Sequence, residues 1–172
     1  MSTNFKENPI QLIGRFLAPG MKAPEFQLTR SDLSEFTRSD VYGKTLLLNI
    51  FPSLDTEVCA MSVRKFNQMT AGFRNVITLC ISCDLPFAQK RFCTVNGIEN
   101  VIPLSCFRRG NTFGEDYGVM IADGPMRGLL ARAVVIISPE GKIAYSQLVP
   151  EITVEPNYTA ILDFLKESKT EE

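Results

Sequence analysis

One cysteine of this sequence occupies a position where cysteines become reactive. Cys59 follows a nearly continuous apolar run, residues 45–51, that is closed by Pro52. We predict that this run is a strand buried on both faces. A helix should begin after Thr56, whose hydroxyl would accept a hydrogen bond from a first-turn backbone N–H. Cys59 would then be the third helical residue, where free N–H groups and the helix dipole favour the nucleophilic thiolate.

The helix is predicted from apolar residues that recur at helical spacing. Its expected buried face consists of Val58, Met61 or Ser62, Phe66, Met69 and Phe73. A second interpretation of Cys59 is a small buried apolar residue of this helix, because unpaired cysteines are often buried. Position alone leaves both interpretations open.

The chain has five cysteines. An odd number without a secretion signal argues against a structural disulfide framework and for a reducing compartment. Cys80 and Cys83 have the C-x-x-C spacing of redox pairs, but residues 75–83 resemble a strand. Three residues of strand span about 10 Å and place the two side chains on opposite faces, beyond the limit of about 7 Å for a disulfide. We expect both to pack in the core, and Cys106 to be an inert, partly buried thiol.

Cys93 lies in a predicted helix over residues 85–96. Its expected buried face is formed by Leu85, Ala88, Phe92 and Val95, with Cys93 beside that stripe. Nothing local brings Cys93 near Cys59, so any pairing of the two depends on the fold.

Composition narrows the classes of function. At 172 residues and 45% hydrophobic residues, the chain suits one domain, residues 1–172, with a full core. A net charge of −1 without basic clusters predicts no nucleic-acid partner. The absence of histidine excludes Cys-His and Ser-His pairs and histidine metal ligands, and we expect neither a cofactor nor a metal. No apolar segment is long enough to be a signal peptide or membrane span, which predicts a cytoplasmic protein that needs no membrane.

Pro52, Thr56 and Cys59 fit the Pro-x-x-x-Thr-x-x-Cys signature of the peroxiredoxins. The sequence from residue 49 to 67 closely resembles their thiol peroxidase subfamily, of the atypical two-cysteine type. The resemblance continues through residues 79–82, 84–89, 91–93, 97–101, 122–125, 131–134 and 146–149. It therefore covers nearly the whole chain.

This resemblance implies an enzyme that reduces alkyl hydroperoxides and hydrogen peroxide and is regenerated by thioredoxin. Cys59 would be the peroxidatic cysteine, and its sulfenic acid would condense with the resolving Cys93 to form a disulfide. Thr56 would hydrogen-bond the thiolate and the peroxide, and Pro52 would shield the sulfur from water. Arg132 would hold the sulfur ionised and stabilise the departing oxygen. The family also suggests a homodimer.

Arg132 has a second interpretation. It lies in residues 131–137, a predicted central strand, where a charge is tolerated only if it is paired or at the strand's end. Without the family motif, a structural ion pair would explain it equally well.

The remaining pattern predicts an α/β thioredoxin-like fold with a mixed central sheet flanked by helices. Residues 1–20 should form an N-terminal β-hairpin extension. Core strands are expected at residues 45–51, 76–82, 131–137 and 142–148, the last two as an antiparallel hairpin. A C-terminal helix should follow Pro156 and end in a frayed tail at residues 168–172.

Two other functions stay open at this point. A redox sensor would use oxidation of Cys59 to change partner binding, without rapid turnover. A thiol-disulfide oxidoreductase would act through Cys80 and Cys83, which their predicted strand disfavours. For disulfide formation in the peroxidase, we expect the first turn of the Cys59 helix and the Cys93 helix to unwind locally.

Overall fold

The computed structural model describes residues 1–170, with side chains through residue 168. Its strands are β1 (Ser2–Phe5), β2 (Asn8–Ile13), β3 (Gln27–Arg30), β4 (Glu35–Thr37), β5 (Thr45–Ile50), β6 (Val76–Ser82), β7 (Val101–Ser105), β8 (Met120–Ile121), β9 (Ala133–Ile137) and β10 (Ile143–Leu148). Its α-helices are α1 (Glu57–Thr70), α2 (Pro86–Asn96), α3 (Phe113–Asp116) and α4 (Tyr158–Thr170), and a 3₁₀ helix spans Arg38–Val41.

Seven strands form one mixed sheet in the order β10-β9-β5-β6-β7-β3-β4. The neighbours β5, β6 and β7 are parallel, while the outer strands pair antiparallel. The predicted hairpin of β1 and β2 is present and is joined by β8 in a second small sheet. The mixed sheet with flanking helices confirms the predicted thioredoxin-like α/β fold.

The centre of the sheet explains how the candidate residues come together. The apolar run of β5 is buried between β6 and β9, as its lack of alternation predicts. Ile50, the last residue of β5, pairs with Ala133, the first residue of β9. Because these strands are antiparallel, the chain before β9 and the chain after β5 meet at the same edge. Arg132 and the start of α1 therefore belong to one corner of the molecule.

Most predicted elements are present with shifted ends. The strand predicted from residue 131 begins at 133, so Arg132 lies just before it rather than within it. Sequence reasoning did not identify β4, β7, β8 or α3. Helix α4 continues through Thr170, so the tail predicted from residue 168 begins inside a helix. Residues 171 and 172 lie outside the described part, and a single domain over residues 1–172 stays a prediction. Within the described chain, the helices are too short or too polar to cross a membrane.

Candidate active site

The sulfur of Cys59 and the guanidinium of Arg132 are in direct contact. Nη2 of Arg132 lies 3.2 Å from Sγ of Cys59. Cys59 is fully buried and Arg132 is 1% exposed. A charge-assisted hydrogen bond in a site closed to water is stronger than the same bond at the surface. The pair can therefore hold a thiolate at a defined position.

The rest of the guanidinium is fixed on one side and open on the other. Nε donates to the backbone oxygen of Ile152 at 2.8 Å, whereas the buried Nη1 has no hydrogen-bond partner. Among the residues that the structure describes, no carboxylate lies within ion-pair distance of Arg132. The structural ion pair is thus not what holds this arginine. Its unused donor can bind a further oxygen beside the Cys59 sulfur.

Thr56 and Pro52 lie just before α1, and the hydrogen bond of Thr56 differs from the prediction. Thr56 is the N-cap, which places Cys59 third in the helix, as predicted. The predicted cap bond is wrong, because the Thr56 hydroxyl accepts no bond from the first turn; it donates to the backbone oxygen of Ser53 at 3.0 Å. Its bond to the thiolate or to a peroxide stays a prediction. Pro52 is buried between β5 and α1, next to Phe51, which packs against Cys59.

The buried face of α1 is centred differently from the prediction. Its buried members are Cys59, Ala60, Ser62, Val63, Phe66 and Thr70. Val58 and Met61 are only half-buried, so the first turn is rotated to place Cys59 itself on the sheet. The Ser62 hydroxyl donates to the backbone oxygen of Cys59 at 2.8 Å and receives a bond from Asn49 at 3.2 Å. Asn49, an amide inside the buried β5, was the sequence signal for this support.

The loop before α1 is held by a carboxylate from another element. Asp84 accepts hydrogen bonds from the Ser53 hydroxyl at 2.7 Å and the Leu54 backbone N–H at 2.8 Å. It also accepts from the Ser82 hydroxyl at 2.7 Å. Asp84 stands directly between β6 and α2, so one side chain ties the Cys59 loop to the base of the Cys93 helix. In the sequence, Asp84 belongs to the resemblance at residues 84–89, and a carboxylate directly after a buried strand is the signal for such a role.

Replacing Asp84 with Asn should loosen this loop. An amide cannot accept from all three donors, and hydrogen bonds to a charged group contribute about 1.5 to 3 kcal/mol each. We expect Asp84→Asn to lower the free energy of unfolding by about 1 to 3 kcal/mol and to slow oxidation of Cys59 by peroxide. Urea unfolding and stopped-flow oxidation measure the two effects.

The matched control is Asp55→Asn, which removes the same charge from an exposed residue of the same loop. It should change neither quantity appreciably. Equal effects of the two variants would show that charge, and not the hydrogen bonds of Asp84, supports the loop.

Cys93 is in α2, as predicted, and the predicted buried face of this helix is right for Ala88 and Phe92, which are half-buried, but wrong at its two ends. Leu85 and Val95 are 52% and 78% exposed. The helix is anchored instead by the buried Gln89, whose amide donates to Leu104 O at 2.9 Å and to Ser82 Oγ at 3.1 Å. A polar anchor cannot be seen in an apolar periodicity, which explains the error.

The Cys93 thiol is half-buried, and this burial raises its pKa to about 11. Cys59 and Cys93 are both free thiols. Phe92, the neighbour of Cys93, packs against the cluster that contains Cys59. A cleft of about 170 Å³ lies between α2 and the loop at Leu54 and Asp55. The two cysteines thus belong to adjoining elements that are incompletely packed against each other.

The other cysteines divide between the two faces of the sheet. Cys80 packs in the same cluster as Cys59, and burial raises its pKa to about 12. Cys83 packs against the large core on the other face, so Cys80 and Cys83 do not meet, as predicted. Cys106 is 7% exposed and therefore more buried than predicted. Its Sγ lies 2.8 Å from Sγ of Cys83, a contact that sequence reasoning missed.

Comparison with known proteins shows which proteins this chain resembles. The redoxin family model matches residues 18–162. Thiol peroxidases of Mycobacterium tuberculosis and Corynebacterium glutamicum are 56% and 50% identical to the chain. These alignments cover 90% and 93% of this chain, and 92% and 96% of the relatives. A crystal structure of a peroxiredoxin-like protein from Aquifex aeolicus matches with a TM-score of 0.91 and 46% identity over 96% of both chains.

Proposed function

The chain belongs to the redoxin family, as a thiol peroxidase among the peroxiredoxins, and we propose that it reduces alkyl hydroperoxides and hydrogen peroxide through Cys59. It is an enzyme of the peroxiredoxin-type peroxidase class. The observation that carries the proposal is the contact between Arg132 and Cys59, because it places a permanent cation against a buried sulfur.

The first step is attack of the Cys59 thiolate on the terminal oxygen of the peroxide. The O–O bond breaks, Cys59 becomes a sulfenic acid, and the other oxygen takes a proton and leaves as alcohol or water. Negative charge develops on that departing oxygen. The buried Nη1 of Arg132, which has no hydrogen-bond partner, supplies a donor for it beside the sulfur.

Thr56 and Pro52 prepare the sulfur for this step. In the proposal, the Thr56 hydroxyl turns from Ser53 to hydrogen-bond the bound peroxide. Its present bond to a backbone oxygen leaves its lone pairs free and costs little to exchange. Pro52 has no N–H group, and its buried ring excludes water from the loop beside Cys59.

In the second step, the thiol of Cys93 attacks the sulfenic sulfur of Cys59. A disulfide forms and water leaves, which completes a two-electron reduction of the peroxide. Both residues are free thiols in the structure, and in the proposal α1, α2 or both move to bring the two sulfurs together. Thioredoxin, a dithiol reductant, then restores the two thiols by exchange.

The cellular location and the oligomeric state of the protein are also inferred. We propose a cytoplasmic homodimer, on the strength of the family resemblance and of the five cysteines, which suit a reducing compartment. Sedimentation equilibrium of the reduced protein tests the dimer, and a monomer at micromolar concentration would contradict it.

The deciding experiment treats the reduced protein with one equivalent of an organic hydroperoxide, blocks free thiols and maps the disulfides. Cleavage after lysine and arginine leaves Cys93 and Cys106 in one peptide, and cleavage after Glu99 separates them. We expect a Cys59 to Cys93 link, and no peroxide consumption by Cys59→Ser. A link from Cys59 to Cys80 would reassign the resolving cysteine. Oxidation without any link would favour a sensor, and an unreacted Cys59 would contradict the peroxidase mechanism.

A further inference from the structure

The structure holds a second pair of thiols on the face of the sheet opposite Cys59. Cys83 and Cys106 follow directly after β6 and β7, two parallel neighbours whose last paired residues are Ser82 and Ser105. The Cys106 N–H donates to Ser82 O at 3.0 Å, which continues the ladder by one step. Both side chains pack on the large core, whereas Cys80 and Cys59 pack in the cluster on the other side.

The backbone geometry of this pair suits a disulfide. Neighbouring strands lie about 4.8 Å apart, and disulfides join Cα atoms separated by about 4.4 to 6.8 Å. The two sulfurs are 2.8 Å apart, less than 1 Å beyond the disulfide bond length of about 2.05 Å. A bond therefore needs almost no movement of the backbone.

We propose that Cys83 and Cys106 form a second redox-active dithiol, which a hydroperoxide oxidises to a disulfide independently of Cys59. Cys83 is the nucleophile because it is the more exposed of the two, and Cys106 is the resolving thiol. The Cys83 thiolate takes the terminal oxygen of the peroxide, and the alcohol leaves with a proton. The Cys106 thiol then condenses with the Cys83 sulfenic acid, which forms the disulfide and releases water. One peroxide thus accepts the two electrons of the dithiol.

The electrostatics of the pair assign the two roles in the same way. The hydrogen bond between the two sulfurs lowers the pKa of the Cys83 thiol, against the opposing effects of burial and of Asp84. The same hydrogen bond raises the pKa of Cys106, and burial raises it further. Cys106 is therefore the thiol that holds its proton more tightly, and the less buried sulfur of Cys83 has more thiolate character.

The test uses a triple variant, Cys59→Ser, Cys80→Ala and Cys93→Ser, in which Cys83 and Cys106 are the remaining cysteines. After treatment with an organic hydroperoxide, we expect the titratable thiols to fall from two to zero per chain. The mass of each denatured chain should be lower by two hydrogens, with no disulfide between chains. Dithiothreitol should restore both thiols. Two intact thiols, a sulfinic acid without a disulfide, or a link between chains would each overturn the proposal.

Two further variants on this background separate the roles. With Cys106→Ser, Cys83 should accumulate as a sulfenic acid that dimedone labels. With Cys83→Ser, Cys106 should remain unlabelled. Labelling of Cys106 in place of Cys83 would overturn the assignment of the nucleophile.

The unaltered protein gives a result even if the triple variant does not fold. Cleavage after lysine, arginine and glutamate isolates Cys106 in residues 100–108 and leaves Cys80 and Cys83 together in residues 75–90. We expect peroxide to link these two peptides, with fragmentation locating the bond at Cys83. A link at Cys80, or none after complete oxidation of Cys59, would overturn the proposal.

Discussion

Replacing Arg132 with Lys should lower kcat/KM for peroxide by about 10² to 10³. Lysine keeps the charge but has one ammonium group in place of the forked guanidinium. The three nitrogens of Arg132 donate to the backbone oxygen of Ile152, contact the Cys59 sulfur and leave one donor for the departing oxygen. One ammonium group cannot reach all three positions at once. Stopped-flow oxidation of Cys59 measures the loss at the peroxide step directly.

The matched control is Arg64→Lys, which makes the same chemical change at an exposed position of α1, the helix that carries Cys59. It should leave the oxidation rate within about twofold of the original, as surface substitutions usually do. Thermal unfolding of both variants separates loss of catalysis from loss of fold. A folded Arg132→Lys protein that oxidises at the original rate would show that charge alone, without the fork, activates Cys59.

The sequence predicted those parts of the site that depend on local pattern. The apolar run of β5 and the helix start after Thr56 follow from neighbouring residues, and the structure confirms them, with β5 ending at Ile50, shortly before Pro52. The position of Arg132 beside Cys59 depends on residues that are distant in the sequence. The resemblance supplied its role, but its contact with Cys59 exists because Ile50 pairs with Ala133. No propensity of either segment reveals that register.

The parts that were missed depend on contacts between distant segments. Asp84 reaches the loop at Ser53 and Leu54 only because β5 and β6 are adjacent and parallel. The contact of Cys83 with Cys106 requires the register of β6 and β7, and β7 was not predicted as a strand. A C-x-x-C spacing drew attention to Cys80 as the partner of Cys83. The fold shows that the relevant partner comes from the neighbouring strand.

The reduced structure also suggests how Cys93 is controlled. Burial raises the pKa of its thiol to about 11, so at neutral pH it is protonated and weakly nucleophilic. Opening α2 exposes the thiol and returns its pKa towards the ordinary value of about 8.5. In the proposed mechanism, the same motion therefore both brings Cys93 to Cys59 and activates it. The closure rate rises with pH because the thiolate of Cys93 is the nucleophile, and this ionised form is more stable in the open state than in the closed one. The rate of disulfide closure should thus increase from pH 7 and continue to increase above 8.5, measured after a rapid peroxide pulse.

Replacing Gly97 with Ala should accelerate disulfide closure. Gly97 ends α2 in the left-handed conformation, with φ of 62°, and the Ile98 N–H that follows donates to the backbone oxygen of Cys93 at 2.9 Å. A Cβ at this position would meet no atom within 4 Å, so the cost of alanine is conformational. That cost is about 1 kcal/mol, and it falls on the closed helix more than on the opened one. If closure passes through an opened α2, its rate should rise about fivefold, a change of about 1 kcal/mol.

Gly72→Ala provides the matched control, because a Cβ there also meets nothing within 4 Å and its backbone has no positive φ. It should leave the closure rate unchanged, and neither variant should alter the preceding oxidation of Cys59. The result separates two mechanisms that give the same final disulfide. If α2 opens first, weakening its C-terminal lock speeds closure even as it destabilises the protein. If α2 stays folded and only α1 moves, Gly97→Ala will lower the free energy of unfolding and leave the closure rate where it was.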